Sequence, residues 1–261
     1  MKGEVQTGCL WGSAAYRKLK QIGLYKAALG AASLFGGYCL GELCYVALNT
    51  PRLPEAPGPV VGLYKSKAKS RSRIERERRE EGGAIRLLCM GDSVAAGCGL
   101  NSNDEACVGV FARATSAALG EKDVSWRVIA RNGYTANRIE RKHVHRIGSF
   151  DPDVVLLSVG VNNLLEMQSS AVFEQELTSL LRSVRKSVPD HTSVVVMGMP
   201  PMSMFVALTP LLRICAGYKA KQFNEVMAKV CRKMQDSIEA EQGKRTRFKQ
   251  IVHIDYQGKA E

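Results

Sequence analysis

Between residues 84 and 256, five short apolar runs alternate with stretches of helical periodicity. This alternation limits the fold more than any other feature of the chain. The runs are residues 84–90, 124–130, 154–159, 193–199 and 248–256. Residues 106–119, 136–147, 173–188 and 217–241 read as the helices between them. The third helix places Leu177, Leu180, Leu181 and Val184 on one face. The third run, VVLLSV, is continuously apolar, as a strand buried on both faces of a parallel sheet must be. The pattern predicts a doubly wound, flavodoxin-like α/β sandwich of three layers around a parallel five-stranded sheet. There is no internal repeat.

The front of the chain has a different texture. Residues 1–26 are polar and basic, and residues 27–48 hold one charge, Glu42, in 22 residues. A membrane span needs about 20 mostly apolar residues. A charge at its centre costs about 2.5–3.5 kcal/mol, but Glu42 lies toward one end. We expect residues 1–48 to form a basic N-terminus and a hydrophobic helix that anchors the chain as a single-pass protein. A helix packed on the folded domain and a signal-peptide core are the competing readings. Orientation stays open, because positive charge flanks both ends. Residues 49–83 read as a linker: four prolines lie within 49–64, then a run of charged and small residues reaches Glu81. The folded domain is expected over residues 84–261.

More than half of the net charge of +12 lies in residues 1–81. A basic front on a nearly balanced body argues against a nucleic-acid-binding domain. None of the eight cysteines forms a CxxC pair, and the four histidines form no HExxH motif. Neither a metal nor a cofactor is expected.

The loops after the strands carry the chemistry. Gly91-Asp92-Ser93 follows the first strand and Asn132-Gly133-Tyr134 the second. Gly160-Val161-Asn162-Asn163 follows the third. In a parallel sheet these loops share one edge, where ligands of open α/β sheets bind. A serine, a permissive glycine and an asparagine amide are the parts of a nucleophile with an oxyanion hole. Gly, Asp and Ser are also ordinary turn residues. Ala95 stands where a G-x-S-x-G elbow needs glycine, which argues against an α/β-hydrolase. No P-loop or complete dinucleotide fingerprint is present.

From residue 84 to 256 the chain resembles the SGNH (GDSL-type) esterases and lipases. Gly91-Asp92-Ser93 matches the serine block, Gly133 the glycine block, and Gly160-Val161-Asn162-Asn163 the Gly-x-Asn-Asp block. The stretches LPEAPGPVVG and MPPMSMFVALTPLLR are similar to those of membrane-tethered bacterial members. The resemblance implies hydrolysis of small-molecule or lipid esters without a cofactor. It makes Ser93 the nucleophile. The Ser93 and Gly133 backbone N–H groups and the Asn162 amide would be the oxyanion donors. Gly91, Asp92, Gly160 and Asn163 would support them, Asp92 by stabilising its turn.

Two positions depart from that pattern. Asn163 replaces the usual Asp, and restoring Asp there is expected to be tolerated. No Asp-x-x-His follows the fifth run, where the family carries its acid and general base. His253 and Asp255 stand in the reverse order, inside the expected strand. The alternative to an active esterase is therefore a pseudoenzyme or truncated fragment that keeps the fold.

Overall fold

The computed structural model of the protein describes residues 10–49, 51, 53–66, 83–242 and 250–254. Six strands form one sheet: β1 (Val61–Tyr64), β2 (Ile85–Gly91), β3 (Val124–Ala130), β4 (Val154–Ser158), β5 (Ser193–Met197) and β6 (Ile251–Ile254). Their spatial order is β1-β3-β2-β4-β5-β6. Strands β2 to β6 are parallel, and β1 runs antiparallel along β3. The α-helices among the described residues are α1 (Leu10–Asn49), α2 (Cys107–Ala118), α3 (Ala136–His143), α4 (Val161–Leu165), α5 (Ser170–Lys186) and α6 (Pro210–Gln242).

Helices lie on both sides of the sheet, because the central strands are apolar on both faces. One face carries Leu87, Cys89, Trp126, Val128 and Leu156, packed with Val108 and Ala112 of α2. The other face carries Leu88, Met90, Leu157, Val194 and Val196, all buried. Among the helices, Phe173 of α5 stacks on Phe223 of α6 at 4.2 Å between ring centroids. Such a pair adds roughly 0.5–1.5 kcal/mol beyond its buried area. Cys231 of α6 is also buried, and burial pushes its thiol up to about 12.

The sheet has six strands rather than five, and the extra one corrects the reading of residues 49–83 as linker throughout. Prolines punctuate residues 51–59 but stop at Pro59. From Val61 the backbone again has every donor, and a proline-free stretch can form an edge strand. Val128 N donates to Val60 O at 2.7 Å, continuing the ladder beyond β1. Gly62 faces Trp126, whose ring occupies the space a Cβ at Gly62 would need. Residues 67–82, most of the charged run, lie outside the described residues.

The chain divides into two units. The second holds the sheet and residues 53–66. The first holds α1 with Val206–Arg213. Within α1, Tyr25–Val46 is long and apolar enough to cross a membrane, by length and composition. Both carboxylate oxygens of Glu42 are engaged in this unit. Tyr38 Oη donates to one at 2.6 Å, and Thr209 Oγ1 to the other at 2.7 Å. Partnering of this kind lowers the cost of one acid in an apolar helix.

Candidate active site

The register of the central strands aligns the three loops. Gly91, the last residue of β2, pairs with Ala130 of β3 on one side and Ser158 of β4 on the other. Neighbouring strands lie about 4.8 Å apart. Ser93, Gly133 and Asn162 follow these three row-mates by two, three and four residues. They leave one edge of the sheet from three adjacent strands.

The serine turn is pinned from beneath. Gly91 has φ +149°, and a Cβ there would overlap the carbonyl oxygen of Ser158. That closeness lets Asp92 N donate to Ser158 O at 3.2 Å. Asp92 is fully buried. Its Oδ1 accepts from Ser158 Oγ at 2.8 Å and from Val94 N at 3.1 Å. Burial pushes the Asp92 carboxyl above the usual carboxylate range, against the pull of these donors. Ala96 N donates to Asp92 O, and Cys98 N to Ser93 O at 3.0 Å, closing the turn around a half-buried Ser93. Residues 53–59 back this turn: Ala56 N donates to Ala96 O and Gly99 N to Pro54 O.

The glycine loop is clamped by carboxylates from three places. Glu55, before β1, accepts from Asn132 N at 2.8 Å and lies 3.5 Å from Arg131. Glu166, after α4, lies 2.7 Å from Arg138, which also donates to Gly133 O at 3.1 Å. Glu176 of α5 reaches Asn137 N at 3.4 Å. Gly133 itself has φ +82°, and a Cβ added there would have nothing within 4 Å, so its need for glycine is conformational, not steric.

The asparagine loop closes on the same segment. Gly160 is buried and directly precedes α4. Asn162 Nδ2 donates to Tyr134 O at 3.0 Å. Asn163 is fully buried. Its Oδ1 accepts from Ala136 N at 3.0 Å, and its Nδ2 donates to Gln168 Oε1 and Glu176 Oε2, each at 2.8 Å. This arrangement counts against the expectation that Asn163→Asp is tolerated. An Asp would set a second carboxylate against Glu176 where an N–H now sits.

The histidines are placed as follows. His143, at the end of α3, stacks on Tyr134 at 4.9 Å, and burial lowers its imidazole pKa. His191 pairs with Asp153 at 3.2 Å, at the opposite end of the strands from the serine turn. His253 is buried in β6, in register with Val196. Asp255 lies outside the described residues.

Glu55, Arg138, Glu166 and Glu176 carry no signal in the sequence, because the pairs Asn132–Glu55, Asn137–Glu176 and Arg138–Glu166 join residues 77, 39 and 28 apart. Thr135, which caps α3 through Arg138 N, could have been found as a threonine before a helical stretch.

Residues 89–239, more than half of the chain, match the family described as GDSL-like Lipase/Acylhydrolase family. Several solved structures are similar to this chain. TesA is 21% identical over 57% of this chain and 73% of its own, with a TM-score of 0.43. AlinE4, described as a SGNH-hydrolase family esterase, is 20% identical over 68% and 89%, with a TM-score of 0.45. A Clostridium thermocellum family 3 carbohydrate esterase is 17% identical over 59% and 74%, with a TM-score of 0.45. No curated protein matches the chain.

Proposed function

Because the chain belongs to the GDSL-like lipase/acylhydrolase family, we propose that it hydrolyses carboxylic esters of small molecules or lipids through an acyl-serine intermediate. The supporting observation is the single row of Ala130, Gly91 and Ser158, from which the loops carrying Gly133, Ser93 and Asn162 depart. Ser93 Oγ attacks the ester carbonyl. The oxygen that becomes negative accepts from the N–H groups of Ser93 and Gly133 and from Asn162. An asparagine amide has two N–H bonds. One goes to Tyr134 O, and the other serves the oxyanion. Collapse of the tetrahedral intermediate expels the alcohol, and water then releases the acid from Ser93. The proton leaving Ser93 Oγ ends on the departing alcohol, and the water that releases the acid returns one to Ser93 Oγ. The resemblance assigns this transfer to a histidine after the last strand, and no histidine stands among residues 255–261.

The test is hydrolysis of p-nitrophenyl acetate and butyrate by the full chain, with Asn162→Asp beside it. An ionised Asp offers no N–H and repels Tyr134 O, so kcat should fall by about 10²-fold with KM little changed. Absence of turnover by the wild type would overturn the esterase reading, and equal kcat in Asn162→Asp would remove Asn162 from the oxyanion hole.

Helix α1 anchors the enzyme in this reading. Its Tyr25–Val46 stretch spans about 33 Å at 1.5 Å per residue, enough for a hydrocarbon core. Carbonate extraction of membranes should leave the full chain in the pellet. Release into the supernatant would rule out a spanning helix.

A further inference from the structure

We propose that Asn163 and Glu176 act as a positioning pair that holds the glycine loop in place for catalysis, with the charge seated on Glu176 rather than at position 163. The inference rests on the esterase reading for its catalytic consequence, but not for its geometry.

The first three amides of α3 have no partners within their own helix. Each is met from outside the helical ladder: Ala136 N by Asn163 Oδ1, Asn137 N by Glu176 Oε2, and Arg138 N by Thr135 Oγ1. Two of these three acceptors belong to the pair. The acidic partner also faces the positive end of α3, where a negative charge is favourable. Asn163 and Glu176 are joined directly, Nδ2 to Oε2 at 2.8 Å. Asn163 is held in turn by its own loop. Met167 adopts φ +57°, and Gln168 then returns to Asn163 twice, through N to O at 3.1 Å and through Oε1 to Nδ2 at 2.8 Å.

The glycine loop is thus fastened on both sides by neighbouring residues of one segment. Asn162 takes Tyr134 O, and Asn163 takes Ala136 N, two residues further along. Gly133 lies immediately before this fastened stretch. Movement of Asn163 would therefore shift the Gly133 N–H and the Asn162 amide together, and such donors work only when held at the position where charge develops. The pair touches no reacting atom; it acts through the two donors.

The chemistry of the pair makes a specific substitution pattern diagnostic. In Asn163→Asp the loss of the amide toward Gln168 can be answered by turning the Gln168 amide over. Only proton uptake can answer Glu176, because two carboxylates at hydrogen-bond distance cannot both remain ionised, and that uptake is costly at neutral pH. Glu176→Gln keeps an oxygen for Asn163 Nδ2 and loses only the charge. In the double variant Asn163→Asp/Glu176→Gln, the carboxylate and the amide have exchanged places. The carboxylate then at position 163 still accepts from Ala136 N, and the amide then at position 176 donates to it.

The experiment measures two quantities on the full chain and these three variants. The first is kcat and KM for p-nitrophenyl butyrate. The second is hydrogen-exchange protection of the Ala136 amide. We expect kcat to fall at least tenfold in Asn163→Asp at nearly constant KM, and about threefold in Glu176→Gln. The double variant should return to within about threefold of wild type. Exchange protection should be lost in Asn163→Asp and recovered in the double variant. A double variant no better than Asn163→Asp, or an Asn163→Asp equal to wild type in both readouts, would overturn the pairing. If the wild type does not turn over esters, the esterase reading fails, and exchange alone decides the pair: loss and recovery uphold it, unchanged protection overturns it.

Discussion

Ser93→Ala should lower kcat for p-nitrophenyl esters by about 10⁴-fold or more, because the proposed reaction runs through acyl-Ser93 and alanine carries no nucleophile. The residue stands at the mouth of a turn whose hydrogen bonds do not involve its hydroxyl. Cys98 N binds the Ser93 carbonyl, and the Asp92 carboxylate binds Val94 N and Ser158 Oγ. Alanine preserves each of these contacts. The melting temperature should therefore change by no more than about 2 °C, the shift expected for a surface-like substitution. The two readouts together make the assignment testable. Loss of kcat with an unchanged melting temperature places the chemistry on Ser93. Retained hydrolysis would place the nucleophile elsewhere.

Gly91→Ala is the largest stability effect expected. The added Cβ would overlap Ser158 O, which is backbone at the centre of the sheet and cannot rotate away. At φ +149° the position is also one that L side chains rarely adopt. Either strand β2 or β4 must shift, at a cost of about 3 kcal/mol or more. For a domain of this size that corresponds to a fall of roughly 10 °C in melting temperature. Shifting β2 or β4 also breaks the Asp92 N to Ser158 O bond and frees the serine turn. The same substitution at Gly133 gives the contrast. A Cβ there meets nothing, so Gly133→Ala should cost only the strain of φ +82°, about 1–2 kcal/mol. Thermal unfolding of both variants checks the pair. Equal shifts would mean that the contact with Ser158 does not govern Gly91.

Much of the sheet could be read directly from the chain. Residues 124–130 form β3 with the expected ends, and the other parallel strands lie within or one residue beyond their apolar runs. Buried parallel strands expose this signal because every side chain must be apolar. Strand β1 was hidden, since prolines and a glycine mask an edge strand whose packing depends on one tryptophan 64 residues away. Helix ends shifted by several residues: α6 begins at Pro210 rather than 217, because a proline suits a first turn that the apolar periodicity does not mark.

The same division runs through the candidate site. Gly91, Ser93, Gly133 and Asn162 were legible because each stands where an apolar run breaks, and a break at the end of a parallel strand lies on the ligand edge. The environment of those residues was not. Glu55, Glu166 and Glu176 reach the glycine loop and the start of α3 from three separate segments, and Asn163 of α4 became a partner of Glu176 of α5 only in the folded chain. Local order determined which residues reach the edge of the sheet. Tertiary structure decided what each one meets there, because hydrogen-bond partners are chosen by distance in space, and the chain's own spacing carries no record of it.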